Sequence, residues 1–268
     1  MNHEKHLLIS FDLEEFDLPE EYGIAISSHE KIRISTQGLE RLMVLLKQKL
    51  TPATYFVTSS YALEKRSMIS GLSKGNEIAS HSHNHSVFVP GDYEKSKKIL
   101  EEITGIAVKG FRMPRFDKTD YSDIKSSGYI YDSSINPTWM PGRYNNLSIS
   151  RIVNRDQQSG ITILPMSVTP YFRIPLAWFV FKNIPLNTFS RLCIWTLNHD
   201  KYLHLYFHPW EFADIKSFKI PGYIKNNDGE KLLDRLGKLI DNLSGYGKFV
   251  TISEFLEEKG LSVQTGII

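Results

Sequence analysis

Short apolar runs alternate along this chain with longer stretches in which apolar residues recur every three to four positions. A run of four to eight apolar residues reads as a buried strand, and the longer pattern reads as an amphipathic helix. Strands are predicted at 6–11, 53–57, 77–80, 108–111, 161–165, 202–207 and 249–252. A helix is predicted over 37–48, where Leu39, Leu42, Val44, Leu45 and Leu46 make one broad apolar face. Another runs over 90–103, opening at Pro90-Gly91-Asp92 and ending before Gly105. Further helices are expected at 119–127, stopped by Gly128, at 228–243, and from a cap at Ser253 through 258. Strand–helix alternation of this kind predicts an α/β fold, here a single-domain distorted (β/α) barrel over 1–268. The stretch at about 144–198 breaks the rhythm and is taken as an irregular insertion. It is rich in aromatics, notably Tyr171, Phe172, Trp178, Phe179, Phe181, Phe189 and Trp195. Such residues fill cores, and a wall that stacks on sugar rings is the functional alternative.

Composition narrows the class. With 41% apolar and 23% charged residues the chain is an ordinary globular protein. A net charge of +2 gives no basis for a nucleic-acid or membrane-surface partner. Cys193 is the only cysteine, which excludes an intrachain disulfide and a cysteine-rich zinc site; it is expected to be a small buried apolar residue. Residues 1–6 lack a basic stretch followed by an apolar core, so no signal peptide is expected. No apolar run approaches the roughly 20 residues needed to span a bilayer, and a cytoplasmic location is the expectation.

The chemistry gathers where predicted strands end. Glu77-Ile78-Ala79-Ser80 runs straight into His81, His83 and His85 at alternate positions. Neutral imidazole is a common ligand of divalent transition metals, and two such ligands need only a carboxylate to complete an open catalytic site. His81 and His85 converge if the chain turns after Ser80; His83 then points elsewhere or lines the site. The first strand ends in Asp12-Leu13-Glu14-Glu15. Asp12 and Glu14 project to one side of an extended chain, so one can ligate a metal while the other takes a proton from water. Glu15 is a further candidate ligand. Arg112 closes the fourth strand, where a guanidinium can hold a catalytic carboxylate through paired hydrogen bonds. Asp132 falls at another strand end, either as a turn residue or as an acceptor that orients a histidine. His208, between Phe207 and Pro209, reads as packing alone, or as a general acid if a metal lies across the barrel mouth.

Five motifs in this order carry a resemblance: Phe11-Asp12-Leu13-Glu14, His81 to His85, Arg112-Met113-Pro114, Tyr131-Asp132-Ser133-Ser134 and Tyr206-Phe207-His208-Pro209-Trp210-Glu211. Over about residues 7–256 the chain resembles the polysaccharide deacetylases with a NodB-type domain. The Asp-Ser-Ser-Ile-Asn-Pro run from Asp132 and the His-Pro-Trp-Glu run from His208 bring it nearest to the exopolysaccharide-biosynthesis and allantoinase-like branch. The resemblance implies a distorted barrel holding one divalent metal ion, usually Zn2+, through a carboxylate and two histidines. It implies Asp12 as general base, Glu14, His81 and His85 as ligands, and His208 as general acid. Arg112 would hold Asp12, Asp132 would orient His208, and the backbone N–H of Arg115 would help stabilise the oxyanion. Many relatives have a second aspartate where this chain has Glu14 and Glu15, so the choice between these two stays open. The implied substrate is an N-acetylated sugar or glycan. Hydrolysis of a cyclic amide or ureide uses the same machinery, and a catalytically silent carbohydrate-binding barrel is the alternative from another class. A nucleic-acid partner lacks its basic stripe.

Overall fold

The computed structural model of the chain describes residues 5–262. Residues 1–4 and 263–268, where the 1–268 span and the leader reading begin or end, lie outside the described residues. The strands in chain order are β1 (His6–Leu13), β2 (Thr54–Val57), β3 (Glu77–Ser80), β4 (Gly110–Phe111), β5 (Tyr131–Asp132), β6 (Trp139–Met140), β7 (Tyr144–Asn145), β8 (Asn154–Arg155), β9 (Thr162–Ile163), β10 (Tyr202–Phe207) and β11 (Lys248–Phe249). The helices are α1 (Ser28–Gln48), α2 (Ser59–Glu64), α3 (Arg66–Leu72), α4 (Asp92–Thr104), α5 (Tyr121–Ser126), α6 (Trp178–Asn183), α7 (Leu186–Asp200), α8 (Gly222–Lys225), α9 (Glu230–Ser244) and α10 (Ile252–Glu258).

One sheet runs in the order β10-β1-β2-β3-β4-β5-β9-β8, with β11 paired to the start of β1. Its pairings are parallel except for β8 against β9. After β9 the chain curls back toward β10: the Ser167 N–H donates to the His204 carbonyl at 3.0 Å, and Ala177 bridges Tyr206 in parallel. The result is the distorted (β/α) barrel expected from the alternation of elements. The stretch 144–198 is part of its wall, since β8 and β9 lie within it.

Every residue of β1 and β10 is buried, and successive side chains go to opposite faces. Leu7, Ile9, Phe11 and Leu13 pack outward under the helices with Leu203, Leu205 and Phe207. The inward face starts apolar at the barrel floor, where Leu8 and Tyr202 join Phe56, Ala79 and Tyr131. Further up, the same inward phase delivers Ser10 and Asp12 on β1 and His204 and Tyr206 on β10. Gly110 shows how full the interior is: a Cβ there would lie 2.0 Å from the Tyr131 ring.

Some boundaries differ from expectation for local reasons. α1 starts nine residues before the predicted 37, capped by Ser27 accepting from the Glu30 N–H, because its first turns are polar and carry little apolar signal. The last helix is capped by Thr251 in a reciprocal pair with Glu254, while the Ser253 hydroxyl bonds Glu77 on β3. That cap shortens the predicted strand at 249–252. Cys193 is buried, as its lone occurrence predicted. No helix among the described residues is long and apolar enough to cross a membrane.

Candidate active site

The residues that carry chemistry stand at the C-terminal ends of β1, β3, β4 and β10, the end where parallel barrels build their sites. Glu14 continues the inward phase of Asp12. Past β3 the chain turns at Ser82, whose φ of +68° is left-handed. That turn breaks the alternation and lets His81 and His85 face the same way. Glu14 Oε2 lies 3.2 Å from His81 Nε2 and 3.1 Å from His85 Nε2. The three donor atoms fall within 4.8 Å of one another. Each imidazole is aimed by its other nitrogen. His81 Nδ1–H donates to the Arg112 carbonyl at 2.9 Å, and His85 Nδ1–H donates to Asp17 Oδ2 at 2.9 Å. Both Nε2 lone pairs are therefore free to ligate, and one carboxylate with two oriented imidazoles fits a divalent metal such as Zn2+. Asp17 also accepts from Ser86 Oγ at 2.6 Å. Burial pushes its carboxyl up, but His85, Ser86 and Arg115 outweigh it and bring it down to about 2.

The other candidates at this loop point away. His83 Nδ1 meets Ser59 Oγ at 2.7 Å, at the start of α2. Glu15 accepts from Thr58 Oγ1 at 2.9 Å and from Ser60 Oγ, so it tethers α2 and leaves the ligand position to Glu14.

Arg112 is fully buried, its guanidinium 3.8 Å from the centroid of the Phe56 ring. Its Nη1 donates to Asp12 Oδ1, its Nη2 to Ser10 Oγ at 3.0 Å, and its Nε to the Ser133 carbonyl at 3.1 Å. Burial pushes the Asp12 carboxyl up, yet Arg112, His81 and His208 together hold it below the usual aspartate range. His204 sits beneath, its Nε2 3.0 Å from Ser10 Oγ. Burial and Arg112 keep that imidazole neutral.

His208 follows β10, the strand beside β1, with Nε2 4.0 Å from both Asp12 Oδ2 and Glu14 Oε1. Its ring stacks on Trp210 at 5.0 Å and meets the edge of Trp178 at 5.7 Å. Glu211 orients it, with Oε1 accepting from His208 N–H at 2.7 Å and from Nδ1–H at 2.9 Å. Burial lowers the imidazole's proton affinity, but Glu211, Glu14 and Asp12 raise it above the usual range. Gly38 on α1 lets this turn pack close, since a Cβ there would lie 1.8 Å from the Pro209 carbonyl oxygen.

Asp132 does not orient His208. Tyr131 takes the inward position on β5, so Asp132 falls on the outward phase, against the helices. It accepts from Ser134 N–H at 3.0 Å and from Ser134 Oγ at 2.5 Å; that hydroxyl in turn accepts from Met113 N–H at 2.8 Å. Asp132 thus braces the turn that follows Arg112. Burial pushes its carboxyl up to about 6, against the Ser134 hydrogen bonds. In the braced turn Arg115 and Phe116 have φ of +58° and +56°. Strain at such residues clusters at functional sites. Among the described residues the Arg115 N–H has no backbone acceptor, and its guanidinium reaches Asp17 and Glu21, each at 3.4 Å.

Residues 3–131 match the family model described as polysaccharide deacetylase. Over these residues, just under half of its length, the chain carries the sequence pattern of the polysaccharide deacetylase family. No curated protein matches it in sequence. Among solved structures it is similar to a Pseudomonas aeruginosa PAO1 protein assigned as a polysaccharide deacetylase, at 14% identity over 94% of this chain and 89% of the other, TM-score 0.66. A Mycobacterium smegmatis protein with the same assignment is 18% identical over 96% and 91%, TM-score 0.61. Puue Allantoinase is 13% identical over 94% and 89%, TM-score 0.62.

The Glu14–His81–His85 group opens into a cleft of about 340 Å³. The aromatic-rich stretch divides around it. Trp178 and Phe179 line the cleft with Tyr144, Phe181 and Phe189 are core residues, and Tyr171 and Phe172 are exposed. The sequence alone marks out no role for Asp17 or Trp210, and Glu211 stands in it only as part of a motif. Glu211 had a legible signal, because His208-Pro209-Trp210-Glu211 has the spacing of a helix start with a reciprocal cap. Asp17 had none beyond proximity to Glu14.

Proposed function

We propose that this protein is a metal-dependent hydrolase of carbon–nitrogen bonds that removes the acetyl group from an N-acetylated sugar or polysaccharide precursor. The observation that carries the reading is the placement of Asp12 and His208 beside the Glu14–His81–His85 group, in one cleft. A divalent ion held there, zinc by its nitrogen and oxygen donors, would polarise the acetyl carbonyl and acidify the attacking water.

The chain's own residues do the rest. Asp12, held ionised by Arg112, takes the proton of the attacking water. The Arg115 N–H, offered by a strained turn at the cleft, donates to the developing oxyanion. His208, protonated and aimed by Glu211, gives its proton to the departing amine. Trp178 and Tyr144 offer faces to an apolar sugar surface. We take 1–268 as one catalytic domain, with 144–198 supplying the cleft wall.

The test is acetate release from a panel of N-acetylated oligosaccharides by protein stripped with chelator and reloaded with Zn2+. Acetate from reloaded protein alone supports the reading. Metal uptake without acetate from any glycan, together with turnover of a cyclic amide or ureide, would move the assignment to that class. Glycan binding with neither activity would favour the silent carbohydrate-binding barrel.

A further inference from the structure

Resting on the reading of His208 as general acid, one buried charge behind it has no part in the scheme so far. Lys182, on α6, is fully buried, and its ammonium has no hydrogen-bond partner among the described residues. It stands 3.6 Å from Glu211 Oε2, which is likewise without a hydrogen bond. The other oxygen of that carboxylate, Oε1, accepts both hydrogen bonds from His208. The same ammonium lies 5.8 Å from the Trp178 ring centroid and 6.0 Å from that of Trp210, the two rings that flank His208. Burial pulls the Lys182 ammonium below the usual lysine range, while Glu211 and Asp228 oppose that pull.

We infer that Lys182 is a positioning residue for the general acid, acting through Glu211. Its charge compensates one carboxylate oxygen, which leaves the other turned to His208 and fixes the imidazole with Nδ1 protonated and Nε2 toward the cleft. A buried ion pair is a poor source of stability compared with apolar side chains of similar volume. A carboxylate fixed behind an imidazole, by contrast, sets the orientation and tautomer of the ring. The two tryptophans bind the parts into one unit, since they pack against the lysine on one side and the histidine on the other. α6 lies in the stretch with the least regular sequence pattern, and this pair is how it reaches the reacting end of the barrel.

The experiment compares zinc-loaded wild type, Lys182→Met, Glu211→Gln and the double variant on an N-acetylglucosamine oligomer, with proton NMR of the His208 ring. The ring signal is identified by its loss in His208→Ala. Lys182→Met should lower kcat about 10- to 100-fold with KM and zinc content unchanged. The double variant should be no slower than Glu211→Gln alone, because the lysine then has nothing to act through. The low-field Nδ1–H resonance of His208 should be present in wild type and lost or shifted in Lys182→Met. A kcat equal to wild type, losses that multiply in the double variant, or an unmoved resonance would overturn the inference. If Lys182→Met does not fold, the double variant, which removes both buried charges, still decides by comparison with Glu211→Gln. Absence of acetate release by wild type would overturn the deacetylase reading alone, and the resonance would still test Lys182.

Discussion

Asp12 Oδ2 and His208 Nε2 lie 4.0 Å apart at the barrel mouth, with the Glu14–His81–His85 group beside them. They come from neighbouring parallel strands, β1 and β10, paired in register from His6 with Tyr202 to Phe11 with Phe207. The register brings the proposed base and the proposed acid together beside the proposed metal position.

Asp12→Asn removes the proposed base and keeps the side-chain shape. Turnover should fall by at least about 100-fold while zinc content stays at the wild-type level. His81→Ala should lose the metal itself. Elemental analysis with acetate release separates the two, and wild-type turnover in Asp12→Asn would show that another residue is the base.

Glu211 makes the contact with His208 that the sequence suggested for Asp132. Glu211→Gln should lower kcat about 10- to 100-fold with KM little changed, since the imidazole loses its charged acceptor. Asp132→Asn should lower kcat less, because Asp132 braces the Arg112 turn from outside the barrel. Steady-state kinetics on both variants would contradict the assignment if Asp132→Asn were the more damaging.

Asp132 also makes a stability prediction with a definite sign. Its carboxyl is raised from 3.8 to about 6 in the fold, so the folded state binds more protons than the unfolded chain between those values. Its contribution is therefore fully present below about pH 4 and lost as pH rises through 6. The loss is about 3 kcal/mol at the upper end. Urea denaturation across this range should show wild type losing stability relative to Asp132→Asn, and parallel curves would contradict the shift.

Gly38→Ala puts a methyl 1.8 Å from the Pro209 carbonyl oxygen. The backbone of the His208 turn must then move, at about 1–3 kcal/mol or more. Denaturation midpoint and kcat should fall together, and an unchanged midpoint would mean that α1 does not press on this turn.

Much of this was legible in the sequence because two strands carry it. Period-two alternation in 6–13 and 202–207 separates helix-packing residues from barrel-lining ones, and it put Asp12 and Glu14 on one side correctly. The convergence of His81 and His85 depended on a left-handed turn at Ser82, which only histidine spacing suggested. Asp132 misled because β5 is two residues long, too short to show a phase, and its inward position is taken by the large Tyr131. Lys182 was invisible, since a single lysine among aromatics reads as a solvated residue on an irregular segment. Partners across the barrel, such as Asp17 for His85, depend on tertiary contacts that no local pattern encodes.

The central claim is that Glu14, His81 and His85 hold one metal ion for deacetylation. It is tested most directly by titrating chelator-stripped protein with Zn2+ while measuring acetate release from an N-acetylated oligosaccharide. Release should rise in proportion to added zinc and level off at one equivalent per chain, and it should be absent in His81→Ala/His85→Ala. Release that is independent of zinc, or that survives in the double variant, would contradict the account.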